Sequence, residues 1–479
     1  MQQGTTVTLT LGNRVTCVDC GEDLDVLTTV RELFRFHPNG YQFMPTFQNG
    51  HWDGYIQMLQ RGKVATGLAL ELLPSLKALS HVEIVDRRTV LELGDPNQKA
   101  WDNARSYQQD CYRAMVDASQ TGGLILQSTG SGKTFVAGLY LSALRGRALF
   151  LVDELTLLQQ AREAISDVVG EPVGVIGGGE FSPQRITVAT VQTLNQKQRR
   201  VQVGQLQPDV VIIDEVHEAV NDRTWKILNH LKPKVIFGLT ATLQMRKKAV
   251  KYQTCAMAGP VIYTYPLKEG IEQGFLAKGV VVRIHRSFGL DSKMLTFLSK
   301  DLTYEERIVD SEERNKYLAH LARRCVEAGH PTMVLVERIQ HLSNLKKAIG
   351  HFDAMVLSGE APKEVRTDAI RRMKRKELML IFTNKILGKG IDIPNLEVTI
   401  DATGRPSHNQ AQQRLGRNSR KSETKKGFIH FDIADKRMEA TAERLKAYRR
   451  LKLPIVDVKG RTSPRHVLET AEKVLADSV

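Results

Sequence analysis

The sequence predicts an α/β chain in which two tandem domains, each built on a parallel sheet, follow a small α+β N-terminal unit. Three observations carry this. Short, continuous apolar runs recur with helical stretches between them, as parallel strands covered on both faces require. The pattern restarts after about residue 265, which makes two sheets of similar size. One glycine-rich turn, Gln127-Ser128-Thr129-Gly130-Ser131-Gly132-Lys133-Thr134, stands between an apolar run and a helical one. A chain of 479 residues is too long for one core and implies about three domains. They are expected at residues 1–95, 96–265 and 266–460, with 461–479 as a C-terminal tail.

The bulk composition, 42% hydrophobic and 25% charged, is that of an ordinary globular protein. No apolar run approaches the ~18 residues of a membrane span and the N-terminus has no signal-peptide pattern, so a cytoplasmic protein is expected. Five cysteines fit a reducing compartment. Cys17-Val18-Asp19-Cys20 has zinc-like spacing, but no second close pair follows, and two ordinary thiols are the simpler reading. Lys+Arg against Asp+Glu is 28 to 27 in residues 1–274 and 40 to 26 in residues 275–479. So lopsided a positive charge suggests a polyanion as partner.

In the front unit, Val7 to Leu11 and Arg14 to Val18 read as strands, and Leu24 to Phe36 has helical spacing. Asn39-Gly40 and Asn49-Gly50, with Tyr41-Gln42-Phe43 alternating between them, signal a hairpin. The stretch is dense in aromatics for a chain that is 6% aromatic. Phe43 and Phe47 read as core, while His51, Trp52 and Tyr55 are as much candidates for stacking on bases or wedging into a duplex junction as for the core. Residues 85–104 read as a linker.

Strands of the first domain are expected at Ala148–Val152, Ile186–Ala189, Val210–Ile213 and Val235–Leu239. Those of the second are Thr332–Val336, Ala354–Leu357, Met379–Phe382, Val398–Ile400 and Phe428–Phe431. Polar clusters follow nearly every strand and should share one rim of a sheet. Lys436 to Leu451 reads as a basic helix with Met438, Ala442, Leu445 and Tyr448 on one face.

The glycine-rich turn has the residues of a phosphate loop. Gly130 and Gly132 let the backbone curl so that its N–H groups converge on phosphate oxygens at the start of a helix. Lys133 is a point charge for the β- and γ-phosphates, and Thr134 offers a hydroxyl to Mg²⁺. Gln127 stands where Gly or Ala is usual. The apolar run Val210 to Ile213 ends in Asp214-Glu215-Val216-His217, where a magnesium-holding carboxylate, Asp214, and a water-orienting base, Glu215, belong.

With these motifs in order, the chain resembles the superfamily 2 DExH nucleic-acid helicases. The resemblance implies two RecA-like P-loop domains, ATP and Mg²⁺ as cofactors, and a nucleic acid partner. Arg105, Tyr107 and Gln108 resemble the adenine-recognising element. Thr240-Ala241-Thr242 matches the motif that, with His217, couples hydrolysis to movement, although Leu243 stands where proline is common. Gly390, Ile391 and Asp392 resemble the fifth motif, with the two flanking residues toward the nucleotide. Gln413-Arg414-Leu415-Gly416-Arg417-Asn418-Ser419-Arg420 matches the sixth, in which Gln413 couples and Arg417 and Arg420, three apart on a helix, serve as arginine fingers. Thr190, Thr383 and Ser358-Gly359-Glu360 occupy nucleic-acid-contacting positions. Leu151-Val152-Asp153-Glu154-Leu155 departs from the usual Pro-Thr before its leucine. The basic runs Arg246-Lys247-Lys248 and Arg371 to Lys376 add grip or are solvated helix faces.

Phe34-Arg35-Phe36, Gly40 to Pro45 and Gly50-His51-Trp52-Asp53-Gly54 are similar to the front end of the phage UvsW-type helicases. That family remodels branched DNA by migrating Holliday junctions, regressing forks and unwinding D- and R-loops. The resemblance implies a monomeric motor on branched, duplex and single-stranded DNA, in the host cytoplasm if phage-encoded. The rivals are an RNA helicase, a duplex translocase that separates no strands, and a binding module that uses ATP only as a switch.

Overall fold

The computed structural model describes residues 6–241, 247–288, 304–358, 360–384, 393, 395–404, 415, 418–421, 425, 427–435 and 439–477. The chain divides into two compact units, one reaching to Tyr265 apart from Ser128–Ser131, the other from Pro266 onward.

The first unit begins with β1 (Thr6–Leu11), β2 (Val15–Asp19), β3 (Arg35–Phe36), β4 (Ile56–Gln57), β5 (Lys63–Ala65) and β6 (His81–Asp86). Four of these form a sheet in the order β5-β2-β1-β6, with β1 antiparallel to β2 and parallel to β6. Val7, Leu9 and Leu11 alternate inward along β1 and share a core with Leu68, Leu72 and Leu76 of helix Thr66–Leu79. Helix Leu24–Leu33 starts where the Asp23 side chain accepts from the Asp25 and Val26 N–H groups. It stops three residues before the expected end, because Arg35–Phe36 pair with Ile56–Gln57 and bury Phe36.

No alternating hairpin forms between β3 and β4. Gly40 (φ 73°) opens a 3₁₀ turn, Tyr41–Phe43, and Pro45 starts helix Pro45–Gln48. Proline suits a first helical position, since it lacks an N–H that would be orphaned there anyway, and this overrides the Asn-Gly signal. Phe43, expected in the core, is 80% exposed, and Phe47 is half-buried.

The front sheet is fastened to helix Lys248–Ala258. Tyr252 Oη donates to the Leu33 carbonyl (2.9 Å), Lys251 pairs with Glu71 (2.5 Å), and Gly67 packs against the backbone at Cys255 and Gly259. Nor is 85–104 a free linker. Residues 85–86 belong to β6, Leu91 is buried, and the Gly94 N–H donates to the Ala143 carbonyl (2.7 Å).

The first large sheet contains β7 (Gly123–Gln127), β8 (Ala148–Val152), β9 (Gly174–Gly177), β10 (Glu180–Ser182), β11 (Ile186–Thr190), β12 (Val210–Ile213), β13 (Val235–Thr240) and β14 (Val261–Tyr265). Their order is β10-β9-β11-β8-β12-β13-β7-β14, and only the edge strand β10 runs antiparallel to its neighbour. β8, β11, β12 and β13 are buried along their whole length.

The second unit holds β15 (Gly279–His285), β16 (Thr332–Val336), β17 (Met355–Leu357), β18 (Leu380–Asn384), β19 (Val398–Asp401), β20 (Phe428–Ile433) and β21 (Ile455–Lys459). They pair in parallel in the order β17-β18-β16-β19-β20-β15-β21. Two tandem RecA-like α/β domains behind a small α+β domain are therefore the architecture. The expected tail is instead helix Pro464–Asp477, whose Val467, Leu468 and Ala471 join the core beside Val280 and Val282.

Helix Glu439–Leu451 departs from its expected face. Ala442 is exposed and Leu445 half-buried, whereas Arg444, Ala447 and Tyr448 are buried; Met438 lies outside the described residues. Arg444 goes inward because Asp432 is there to receive it (Nε to Oδ1, 2.7 Å) and the Ile433 carbonyl accepts a second bond (2.9 Å). Burial opposes the Arg444 charge, but the Asp432 and Asp401 carboxylates outweigh it and hold the guanidinium above its ordinary pKa.

Candidate active site

Parallel pairing puts the strand ends of the first large sheet on one rim. Thr240 lies opposite Leu126, Ile213 opposite Gly238 and Leu151, and Thr190 opposite Val152. Gln127, Asp214, Glu215 and Thr240 therefore emerge together although up to 113 residues separate them.

After β7 the chain turns through Gly130 (φ 87°) and Gly132 (φ 84°) into helix Lys133–Ala143. Only glycine takes such angles without strain. The buried Ser128 Oγ and Thr129 Oγ1 and the Gln127 amide have no hydrogen-bond partner within the protein. Buried polar groups are rarely left so, and these sit where phosphate oxygens would satisfy the hydroxyls. Lys133 Nζ reaches back to the Gln127 carbonyl (3.4 Å), and half-buried Thr134 follows in the first helical turn.

The adenine-type element lies beside this loop. Gln108 Oε1 accepts from the Arg105 N–H (3.0 Å), and a Cβ on Gly132 would come within 2.5 Å of Gln108 Nε2. Arg105 is exposed, but Tyr107 is not beside an open base site. Its ring stacks on Tyr265 (4.0 Å, 7°), its carbonyl accepts from Tyr263 Oη (2.9 Å), and it is 3% exposed. Tyr107 thus anchors the element, and the exposed Arg105 is the residue of the two that can flank a base.

Asp214 keeps some accessible surface but lies deep beneath it. Burial and the charge of Glu215 push its carboxyl up to about 6, against Lys133 and the Glu215 N–H, which pull it back. A carboxylate so reluctant to ionise alone suits a cation as its partner. Glu215 itself takes a left-handed backbone (φ 46°), a strained conformation for a side-chain-bearing residue and frequent at functional sites. Thr240 Oγ1 donates to Glu215 Oε2 (3.2 Å) and lies 2.8 Å from His217 Nδ1. A hydroxyl has one proton, so Thr240 must accept from His217, which fixes the Nδ1–H tautomer. The sequence marked all three residues; their chain of bonds, spanning 25 positions, it did not.

Thr242, Gly390, Ile391, Asp392, Gln413 and Arg417 lie outside the described residues, as do Arg246 and Gly359. Arg420 is not on a helical face. The turn ends at Ser419, whose carbonyl accepts from Ala277 N–H, and Arg420 forms a β-bridge with Leu276. Thr190 and Thr383 are fully buried. Thr190 Oγ1 caps the helix at Val191 and bonds Thr193, while Thr383 Oγ1 donates to the Asn384 carbonyl. Neither presents its hydroxyl to a strand. Arg371, Lys374, Arg375 and Lys376 are exposed around buried Met373, as a solvated helix face would be.

In the front unit, His51 is exposed and Trp52 half-buried, its Nε1 donating to the Tyr55 carbonyl (2.8 Å). Tyr55 cannot stack on a base: the Arg35 guanidinium (4.0 Å) and the His37 ring (3.7 Å) both sit at its centroid and so take its two faces.

Three family models match the chain in order: DNA helicase UvsW, N-terminal, over residues 14–79; type III restriction enzyme, res subunit, over 102–245; and helicase conserved C-terminal domain over 313–422. The ATP-dependent DNA helicase uvsW of Enterobacteria phage T4 is 24% identical over 456 residues, covering 87% of this chain and 88% of that protein. A putative DNA 3'-5' helicase Rad25 of Haloarcula marismortui is 26% identical over 320 residues, 66% of this chain and 50% of the relative. The chain spans about half the length of several such relatives. Among solved structures, a fragment of a putative HsdR subunit of a type I restriction enzyme from Vibrio vulnificus has a TM-score of 0.57 at 23% identity, over 76% of this chain and 69% of that one. The motif-based resemblance to superfamily 2 helicases with a UvsW-type front end is borne out by these matches.

Proposed function

We propose that the chain is an ATP-dependent DNA helicase or translocase that remodels branched DNA in recombination, repair and replication, acting in the cytoplasm. The observation that carries this reading is the buttressed acid pair beside the phosphate loop. The 128–134 loop, with its unsatisfied hydroxyls and Lys133, holds the phosphates, while Gln108 and Arg105 hold the base. Thr134 and Asp214 are the residues to hold Mg²⁺, which when bound neutralises phosphate charge. Glu215 orients a water and takes its proton. The bond from Thr240 keeps the Glu215 carboxylate aimed and ties it to the chain leaving β13, so the protonation state of Glu215 is felt beyond the site. Arg417 and Arg420 are the residues we assign to stabilising charge on the transferred phosphoryl group. The front domain, bolted to the first RecA-like domain, places the motor at a junction.

The test is the ATPase rate with single-stranded DNA, duplex, a synthetic Holliday junction and RNA at matched nucleotide and salt. The expected result is strongest stimulation by the junction. Equal stimulation by all DNA forms would leave a general translocase, and stimulation by RNA alone would overturn the substrate class.

A further inference from the structure

Resting on that reading, we propose that Phe43 is a base-stacking wedge that enters the branch point of the DNA. At 80% exposure it exceeds every other large apolar side chain among the described residues. A lone exposed aromatic is ordinary on a floppy loop, but this one is mounted on a stiff support. Phe43 N–H donates to the Gly40 carbonyl and Met44 N–H to the Tyr41 carbonyl, each at 3.0 Å, and Gln48 Nε2 donates to the Gln42 carbonyl (3.2 Å). Beneath the turn runs a ladder of rings. Arg35 lies over Tyr55, Tyr55 against His37, His37 flat on Tyr41 (4.1 Å, 14°), and Tyr41 edge-on to Phe47 (4.9 Å). His37 Nδ1–H donates to the Gly54 carbonyl (2.7 Å), and a Cβ on Gly54 would strike the Tyr41 ring. Of the rings that the sequence offers for stacking on bases, Tyr55 is consumed in this ladder, and what the turn holds out to solvent is Phe43, with half-exposed Met44 beside it.

Size and charge select the occupant. One ring and one thioether fall far short of the ~800 Å² per partner of a stable protein interface. A single ring is, however, a complete recognition unit for a nucleobase. Residues 32–63 carry Arg35, Arg61 and Lys63 against Glu32, which pairs with Arg35, and Asp53, whose Oδ1 already takes the Tyr55 N–H (3.0 Å). Exposed Arg61 and Lys63 leave β4 and enter β5. Exposed cations for backbone phosphates and a rigid apolar tip on one small domain form the combination that unstacks a base step. Because the front sheet is fastened to helix Lys248–Ala258 through Tyr252 and Lys251, the tip moves with the first RecA-like domain.

The experiment uses the full chain as wild type, Phe43→Ala and Phe43→Trp, with a synthetic four-way junction carrying 2-aminopurine at the branch. Wild type is expected to change the probe's fluorescence on binding and to migrate the branch. Phe43→Ala loses the probe signal and slows migration roughly tenfold, and Phe43→Trp restores both, since an indole also stacks. Phe43→Ala matching wild type in signal and rate, or Phe43→Trp failing to rescue, would overturn the wedge. ATP turnover of wild type on linear single strands separates the two claims. Turnover stimulated there alongside an indifferent Phe43→Ala removes only the wedge, whereas a wild type that no DNA stimulates removes the helicase reading and the wedge with it.

Discussion

The two large sheets are built alike and put their charge in different places. In the first, no buried strand carries a charge, and after the wholly apolar β12 the acids begin one residue beyond, at Asp214 and Glu215. In the second, charge is inside the strands. Asp401 and Asp432 have no exposed surface, Arg283 lies in β15 at 4%, and Arg314 is buried against Asp435 at 3.0 Å. Buried acids are tolerated there because each has a partner: Asp432 meets Arg444 and Arg283, and Asp401 accepts from Thr403. The first sheet thus leaves the Gln127 amide and the Ser128 and Thr129 hydroxyls unsatisfied at its rim, whereas the second pairs its buried charges with one another. Charge inside an α/β domain marks chemistry only when its partner is missing.

That contrast can be tested directly, and substitutions in the first sheet should cost turnover while those in the second cost stability. Lys133→Ala should reduce ATP turnover by about 10²–10³-fold or more while sparing DNA binding at low salt, read by steady-state ATPase and filter binding. Near-normal turnover would remove the nucleotide site. Arg444→Met should destabilise the second domain by about 3 kcal/mol in denaturant unfolding, because Asp432 is left buried with only the longer Arg283 contact (3.5 Å) to compensate it. A variant that unfolds normally but has lost turnover would place Arg444 in the chemistry after all. Thr240→Val, which keeps shape but removes the bond to Glu215, should lower turnover about tenfold with little change in unfolding, the worth of one bond to a charged group.

The smallest effect is pH-dependent. His330 bonds Glu397 through Nδ1 (2.8 Å) and Glu472 through Nε2 (3.0 Å). The bond to Glu397 chiefly, against burial, raises its pKa. Proton uptake then favours the folded form, a contribution present below the unfolded value near 6.5 and lost as pH rises through the higher folded one. Glu397→Gln should therefore cost about 1 kcal/mol at pH 6 and distinctly less at pH 9. Equal cost at both would assign the effect to packing or to Lys376, which also approaches Glu397 (3.8 Å).

Much of the fold was legible because its signals are local. Continuous apolar runs located nine strands to within two residues, and the GSGKT and Asp-Glu stretches located the site, since a phosphate loop is a matter of consecutive backbone angles. β15, β21 and helix Pro464–Asp477 were missed. Their patterns are present, a Val280–Val282 apolar run and Val467, Leu468, Ala471, Val474 and Leu475 at helical spacing, but they lie outside the block of strands that the motifs mark out. The 41–58 segment was misread for a different reason: Asn-Gly favours a hairpin, but Pro45 and the pairing of β3 with β4 overruled it.

By itself, the order of residues determined that this chain carries the residues of a phosphate loop and an acid pair at the end of an apolar strand, and repeats the α/β plan once. Three decisions belonged to tertiary structure. Tyr107 leans on Tyr265, 158 positions away, and so is withdrawn from the base; Thr240 receives His217 and holds Glu215; Arg444 turns inward to Asp432. Each depends on a partner brought near only by strand order. Spacing along a chain sets what a residue can do, and the neighbour across the fold sets whether it is free to do it.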